Sequence, residues 1–184
     1  MTAITTERGV VESLTFLAAF VLLIALQRLL ELGLSRRHEL VLKAKGAYEC
    51  GEGHYPAIVG LHAAWLVSML VEGYLRGPEL PTLWPLWASL FLGGQALRYW
   101  AILSLGERWT TRVMVLPGVP LVASGPYKHV RHPNYLAVAL EILAAPLVFG
   151  ALVTALSFTL LNAGVMVVRL RSEERALRGV EGPC

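Results

Sequence analysis

Apolar and polar residues do not alternate evenly along this chain; they separate into four long apolar stretches with the charge gathered between them. Val10 to Leu32 and Pro56 to Leu75 each approach the roughly 20 residues that a helix needs to cross a hydrocarbon core of about 30 Å, and Leu83 to Leu105 makes a third. The fourth, Tyr135 to Val168, runs for more than thirty residues without a basic side chain, too long for one span. Pro146 and Gly150 near its middle predict a tight turn between two helices, because proline removes a backbone donor and ends or kinks a helix. The pattern therefore predicts an all-α membrane protein of five spans, the last two a helical hairpin.

Composition agrees. The chain of 184 residues is 55% hydrophobic and 16% charged, with mean hydropathy +0.58, whereas soluble domains are nearer a quarter charged. No repeat or low-complexity tract divides it, so residues 1–184 read as one membrane domain. All 13 carboxylates are Glu, which excludes chemistry that depends on Asp. Cys50 and Cys184 have no metal-ligand spacing, and no metal site or nucleic-acid partner is indicated. The first apolar run lacks a small-residue cleavage site and reads as a retained span. Arg36, Arg37, Lys43 and Lys45, then Arg108, Arg112, Lys128 and Arg131, then Arg169, Arg171, Arg175 and Arg178 fall in alternate connections. With an odd number of spans and the N-terminus outside, every basic segment is cytoplasmic, as in a bacterial inner membrane.

Several polar residues stand inside or beside the spans. Arg98 lies about seven residues before the third span ends, with Gln95 on the same helix face. It either snorkels to the interface or lines a polar cavity. Arg28 and Glu31 read as a snorkelling i,i+3 pair, and His62 as a bundle histidine with its own partner. "RWTTRVMVLPGVPLVASGPY" alternates about "PGVP" and predicts a short strand pair or turn over the cytoplasmic mouth. "GPYKHVRHPNY", Gly125 to Tyr135, follows it. Pro133 suits the first turn of the next helix, whose amide end, with Arg131 and His132, could hold a carboxylate; a basic loop holding lipid phosphates is the alternative. In the tail "RLRSEERALRG", Glu173 and Glu174 sit among arginines, Glu174 four residues before Arg178. They make either a solvated amphipathic helix or carboxylates facing a cationic ligand.

Together these pieces resemble the membrane isoprenylcysteine carboxyl methyltransferases and related phospholipid methyltransferases. The resemblance covers Arg98 to Leu177, carried by "GPYKHVRHPNY", the helical hairpin and "RLRSEERAL". It implies a cofactor site for S-adenosylmethionine formed by a cytoplasmic loop and a C-terminal helix, across about residues 98–178. Tyr127, His129, Arg131, His132 and Tyr135 would shape it, with Glu173 and Glu174 closing it from the tail. Ala137 departs from the family, in which many members have Gly two residues after the motif tyrosine. "QRLLELGLSRRHE", "GAYECGEGHYPAIVGLH" and "LRYWAILSLGERWTTRVMVLPGVPLV" resemble small bacterial members associated with type III polyketide synthases.

That likeness implies O-methylation of an alkylpyrone or alkylresorcinol at the membrane. Arg98 would orient an anionic acceptor, and Glu173, Glu174 or His54 would take a proton from a phenol. Carboxyl methylation of an isoprenylcysteine and N-methylation of a lipid amine share the same cofactor residues. A lipid-binding scaffold or transporter is the non-enzyme alternative.

Overall fold

The first apolar stretch folds into a helix far longer than a membrane requires. The computed structural model describes residues 2–50, 53, 55–77 and 80–177, and in it α1 runs from Thr2 to Ala44. Its 43 residues rise about 64 Å at 1.5 Å each, twice the hydrocarbon thickness. Gly46, at φ +89°, ends it, and the Ala47 amide closes back on the Leu42 carbonyl at 2.9 Å. Four further helices follow: α2, Tyr55–Arg76; α3, Trp84–Leu105; α4, Pro133–Val148; and α5, Leu152–Leu177. Pro146, buried in the last turn of α4, and Gly150, at φ +69°, make the turn of the hairpin. The tail is the end of α5 itself, not a separate helix.

Val11–Ala44, Tyr55–Arg76 and Leu152–Arg171 are long and apolar enough to cross a membrane. Large apolar side chains point outward from them, such as Leu22 at 69% exposure and Leu160 at 74%; in water such a surface would aggregate, and lipid is its natural solvent. α3 has the length but carries Gly93, Gly94, Gln95 and Arg98. α4 has 16 residues, most of them buried. These two pack against each other closely because Gly94 meets α4 with nothing in between. A Cβ added there would come within 3.2 Å of Leu140 and 3.4 Å of the Ala137 carbonyl. Ala137 itself is fully buried at this contact.

The core joins Leu17, Val21 and Ile24 of α1, Trp65 and Met69 of α2, Phe91 of α3 and Val138, Ile142 and Val148 of α4. The Trp65 indole N–H donates to the Ile142 carbonyl at 3.2 Å. Glu72 of α2 accepts from the Val153 amide at 3.0 Å and from the Thr154 amide and hydroxyl at 2.7 Å each. That carboxylate satisfies donors in the first turn of α5 that the helix itself leaves unpaired. His62 is satisfied by the Ile58 carbonyl at 2.9 Å.

One expectation is corrected. The strand at Val113–Val115 (β2) does not pair across "PGVP". It pairs antiparallel with Tyr48–Cys50 (β1), Tyr48 opposite Val115 and Cys50 opposite Val113. The partner comes from just beyond α1, more than sixty residues earlier. Local alternation shows a strand's readiness to pair but carries no information about a distant partner.

Candidate functional site

A cleft of about 480 Å³ opens at the end of the bundle where α1 emerges, β1 and β2 pair and α5 finishes. One side is apolar: Leu42, Leu105, Leu116, Leu121 and Val122. The other is polar: Tyr127, Arg131, His132, Asn134, Tyr135, Arg169, Glu173 and Glu174. Gly125–Lys128 is a 3₁₀ turn that buries Pro126 and brings Tyr127 to the cleft. His132 is the N-cap position of α4 and Pro133 its first residue, where a missing amide hydrogen costs nothing.

The polar wall is held by a chain of contacts across four elements. The Tyr135 hydroxyl donates to Glu173, and Arg169 Nε donates to the Tyr135 oxygen at 3.1 Å. The Arg169 guanidinium lies 5.3 Å from the Tyr135 ring centroid, and His132 stacks on that ring at 5.4 Å with 9° between planes. Arg169 also donates to the Thr111 carbonyl at 2.7 Å. The Thr111 amide in turn donates to Ser35 Oγ of α1 at 2.9 Å. Beside this, Arg112 donates to Glu49 at 2.5 Å and lies over the Tyr55 ring at 4.3 Å; the hydrogen bond to Glu49 raises its pKa further. Burial, and then the charge of Glu173, push the Tyr127 phenol up to about 12.

Two buried polar atoms of residues lining the cleft have no partner among the described residues: the Trp109 indole N–H and Asn134 Oδ1. Trp109 is 2% exposed. A buried polar group left unpaired costs about 1–3 kcal/mol, and these two belong to residues that line the cleft.

Tyr127, Arg131, His132, Tyr135, Glu173 and Glu174, six of the residues singled out from the sequence, line this cleft together. His129 does not: it caps the 3₁₀ turn and points to the outside, as does Lys128. His54 and Arg178 lie outside the described residues, and with Arg178 goes the Glu174 pairing. Arg98 neither snorkels nor reaches the cleft. It is 3% exposed, and its guanidinium grips Glu141 of α4 through two bonds of 2.6 Å, with Glu31 at 3.3 Å. Arg28 is likewise not a snorkelling group. It pairs with Glu31 at 2.6 Å and with Glu141, and Gln27 bridges Glu31 at 2.9 Å and Gln95 at 2.6 Å. Two arginines and two glutamates thus close on one another inside the bundle.

Sequence reasoning missed Glu141, Arg169, Thr111 and Trp109. Glu141 was visible as the one acid in the fourth apolar stretch. Arg169 was visible four residues before Glu173, on the same helix face. Thr111 and Trp109 carry no such mark.

Residues 87–179 match the isoprenylcysteine carboxyl methyltransferase (ICMT) family. Over 162 residues the chain is 43% identical to the uncharacterized protein YpbQ of Bacillus subtilis, covering 86% of this chain and 96% of that one. An uncharacterized protein of Haemophilus influenzae is 28% identical over 151 residues, covering 82% and 88%. No solved structure matches the chain.

Proposed function

Because this chain belongs to the isoprenylcysteine carboxyl methyltransferase family, we propose that it is a membrane methyltransferase whose cleft holds S-adenosylmethionine. The observation that carries the reading is convergence: the RHPNY residues and the α5 carboxylates, some forty positions apart, meet around one cavity through Tyr135, Arg169 and Glu173. The cavity's volume of about 480 Å³ lies within the range of small-molecule sites. Trp109 Nε1 and Asn134 Oδ1 offer an unmatched donor and acceptor to a cofactor with a polar ring and hydroxyls. Arg131 and the amide end of α4 suit its carboxylate. Glu173, Glu174 and the rings of Tyr127 and Tyr135 suit its ammonium and sulfonium.

S-adenosylmethionine supplies a methyl group activated by positive sulfur. The protein's part is alignment and exclusion of water. The contacts among His132, Tyr135, Arg169 and Glu173 fix the polar wall, while Leu105, Leu116, Leu121 and Val122 present the apolar wall to a lipophilic acceptor. We assign the acceptor as a lipidic polyketide hydroxyl, an alkylpyrone or alkylresorcinol made by an associated type III polyketide synthase. The likeness of the first half of the chain to that branch supports this. An acidic enol arrives ionised, and a phenol gives its proton to Glu174 or His54. Arg98 acts at a distance, by positioning α3 against α4. The cleft faces the cytoplasm, in line with the basic connections. Carboxyl methylation of an isoprenylcysteine is the second reading, favoured by the family name itself.

The test uses purified protein, methyl-labelled donor and a panel of alkylpyrones, alkylresorcinols and prenylcysteines. Label that survives mild alkali on a phenolic or pyrone lipid means an ether and the first reading. Label released as methanol means a carboxyl ester and the second. Absence of saturable donor binding overturns both in favour of a lipid-binding scaffold.

A further inference from the structure

From Val113 to Tyr127 the chain carries no charged residue, fifteen positions in a connection whose neighbours on both sides are basic. Its middle, residues 116–123, forms a loop with two faces. Leu116, Leu121 and Val122 line the cleft. Val119 at 42% and Leu121 at 67% also stand exposed. A loop that only closed a pocket against water would turn polar residues outward, and this one turns Val, Leu and two prolines.

Three contacts fix how deep the loop lies. Arg108, just past the end of α3, donates to the Pro120 carbonyl at 2.9 Å. Gly125, at φ +59°, sits directly on Ser104 and Trp100, leaving no room for a Cβ against the Ser104 hydroxyl and 3.1 Å from Trp100 Nε1. Trp100 and Tyr99, about one turn before the end of α3, are 49% and 47% exposed, the placement of aromatic residues at a membrane–water boundary. The loop therefore runs beside the boundary level of α3 instead of out beyond it. Lys128, exposed next to it, complements a lipid phosphate. Pro117 and Pro120 remove two amide donors from a segment that would otherwise carry them into a poorly hydrated zone.

We propose that loop 116–123 is embedded in the interfacial zone of the bilayer, its outer face on the upper acyl chains and its inner face forming the lipid-side rim of the cleft. This rests on the membrane-spanning bundle and not on the methyl-transfer reading. The embedded rim gives a lipophilic molecule a continuous apolar path from bilayer to cleft.

The test needs no methyl transfer. Full-length protein with Val119→Cys, labelled with a nitrobenzoxadiazole fluorophore, is reconstituted in phosphatidylcholine–phosphatidylglycerol vesicles. Wild type taken through the same labelling sets the background. Quenching by lipids brominated on the upper acyl chain, with protection from aqueous iodide, is the expected result. Iodide quenching without bromolipid quenching overturns the proposal and places the loop in water. Quenching by neither also overturns it, and shows the face covered by protein; crosslinking through the same cysteine then tests for a second copy. Leu121→Cys repeats the measurement if the first variant does not fold. In the assay of donor and acceptor, Val119→Glu raises KM for pentadecylresorcinol in vesicles and leaves that for short, soluble orcinol unchanged. Loss of methyl transfer altogether leaves the fluorescence result intact, so the two failures are told apart.

Discussion

This protein builds two clusters from the same ingredients. Inside the bundle, Arg28, Glu31, Arg98 and Glu141 tie α1, α3 and α4 together. At the cleft, His132, Tyr135, Arg169 and Glu173 tie α4 to α5. Each has guanidinium on carboxylate or phenol, yet they differ in their surroundings. The bundle cluster turns its charges on each other, two against two, with Glu141 1% exposed, and leaves Arg28 Nε and Gln95 Nε2 without a partner among the described residues. The cleft cluster borders a cavity of about 480 Å³ and keeps an unpaired donor and acceptor nearby. An intramembrane charge is by default a sign of function. Here the deeper charges tie three helices together, and the proposed function is assigned to the cluster that lines the cleft.

Breaking the closed cluster gives the largest effect. Glu141→Ala leaves two guanidiniums in the bundle to share Glu31, and removing one partner of a buried pair costs about 3–5 kcal/mol. Thermal unfolding in detergent should show a large loss of stability, and an unchanged Tm would remove the architectural role. Breaking the open cluster acts on binding instead. Glu173→Gln weakens a charged hydrogen bond worth about 1.5–3 kcal/mol, so S-adenosylmethionine affinity measured by calorimetry falls roughly 10- to 150-fold. Its Tm moves far less than that of Glu141→Ala; the reverse ordering would collapse the distinction between the two clusters.

Trp109→Phe sharpens the comparison. The indole N–H has no partner to lose, so stability holds or rises slightly, while donor affinity drops by about fivefold to tenfold if a hydrogen bond of about 1–1.5 kcal/mol forms on binding. Equal affinity for wild type and variant would mean that the cofactor does not use this group. The smallest effect concerns Tyr127, whose phenol is pushed up to about 12 by burial and then by Glu173, against about 10 when unfolded. The folded state holds this proton more tightly, so the contribution is fully present below about pH 10 and lost as pH rises through about 12. Tyr127→Phe should flatten the fall in Tm across that window. A fall of equal steepness in the variant would locate the alkaline transition elsewhere.

Much of this was legible beforehand because the bilayer imposes simple rules. Runs of apolar residues had to become helices, and Pro146 with Gly150 had to divide the last of them. The segment GPYKHVRHPNY and the Glu pair, through the family resemblance they carry, pointed to six residues that line the cleft. Arg98 shows where such reading stops. Its position, near a span end with Gln95 on its face, fitted a cavity or the interface equally well, and its actual partner, Glu141, lies 43 residues away on another helix.

The sequence by itself determined the element types, the hairpin and the membrane environment. These follow from local periodicity and from transfer energies that depend on composition alone. Only the tertiary structure decided that β2 pairs with β1, that Glu141 neutralises Arg98, and that Tyr135 of α4 meets Arg169 and Glu173 of α5 at the cleft. Pairing energies fall off within a few ångströms, and contact at that range between distant positions exists only once the helices have packed.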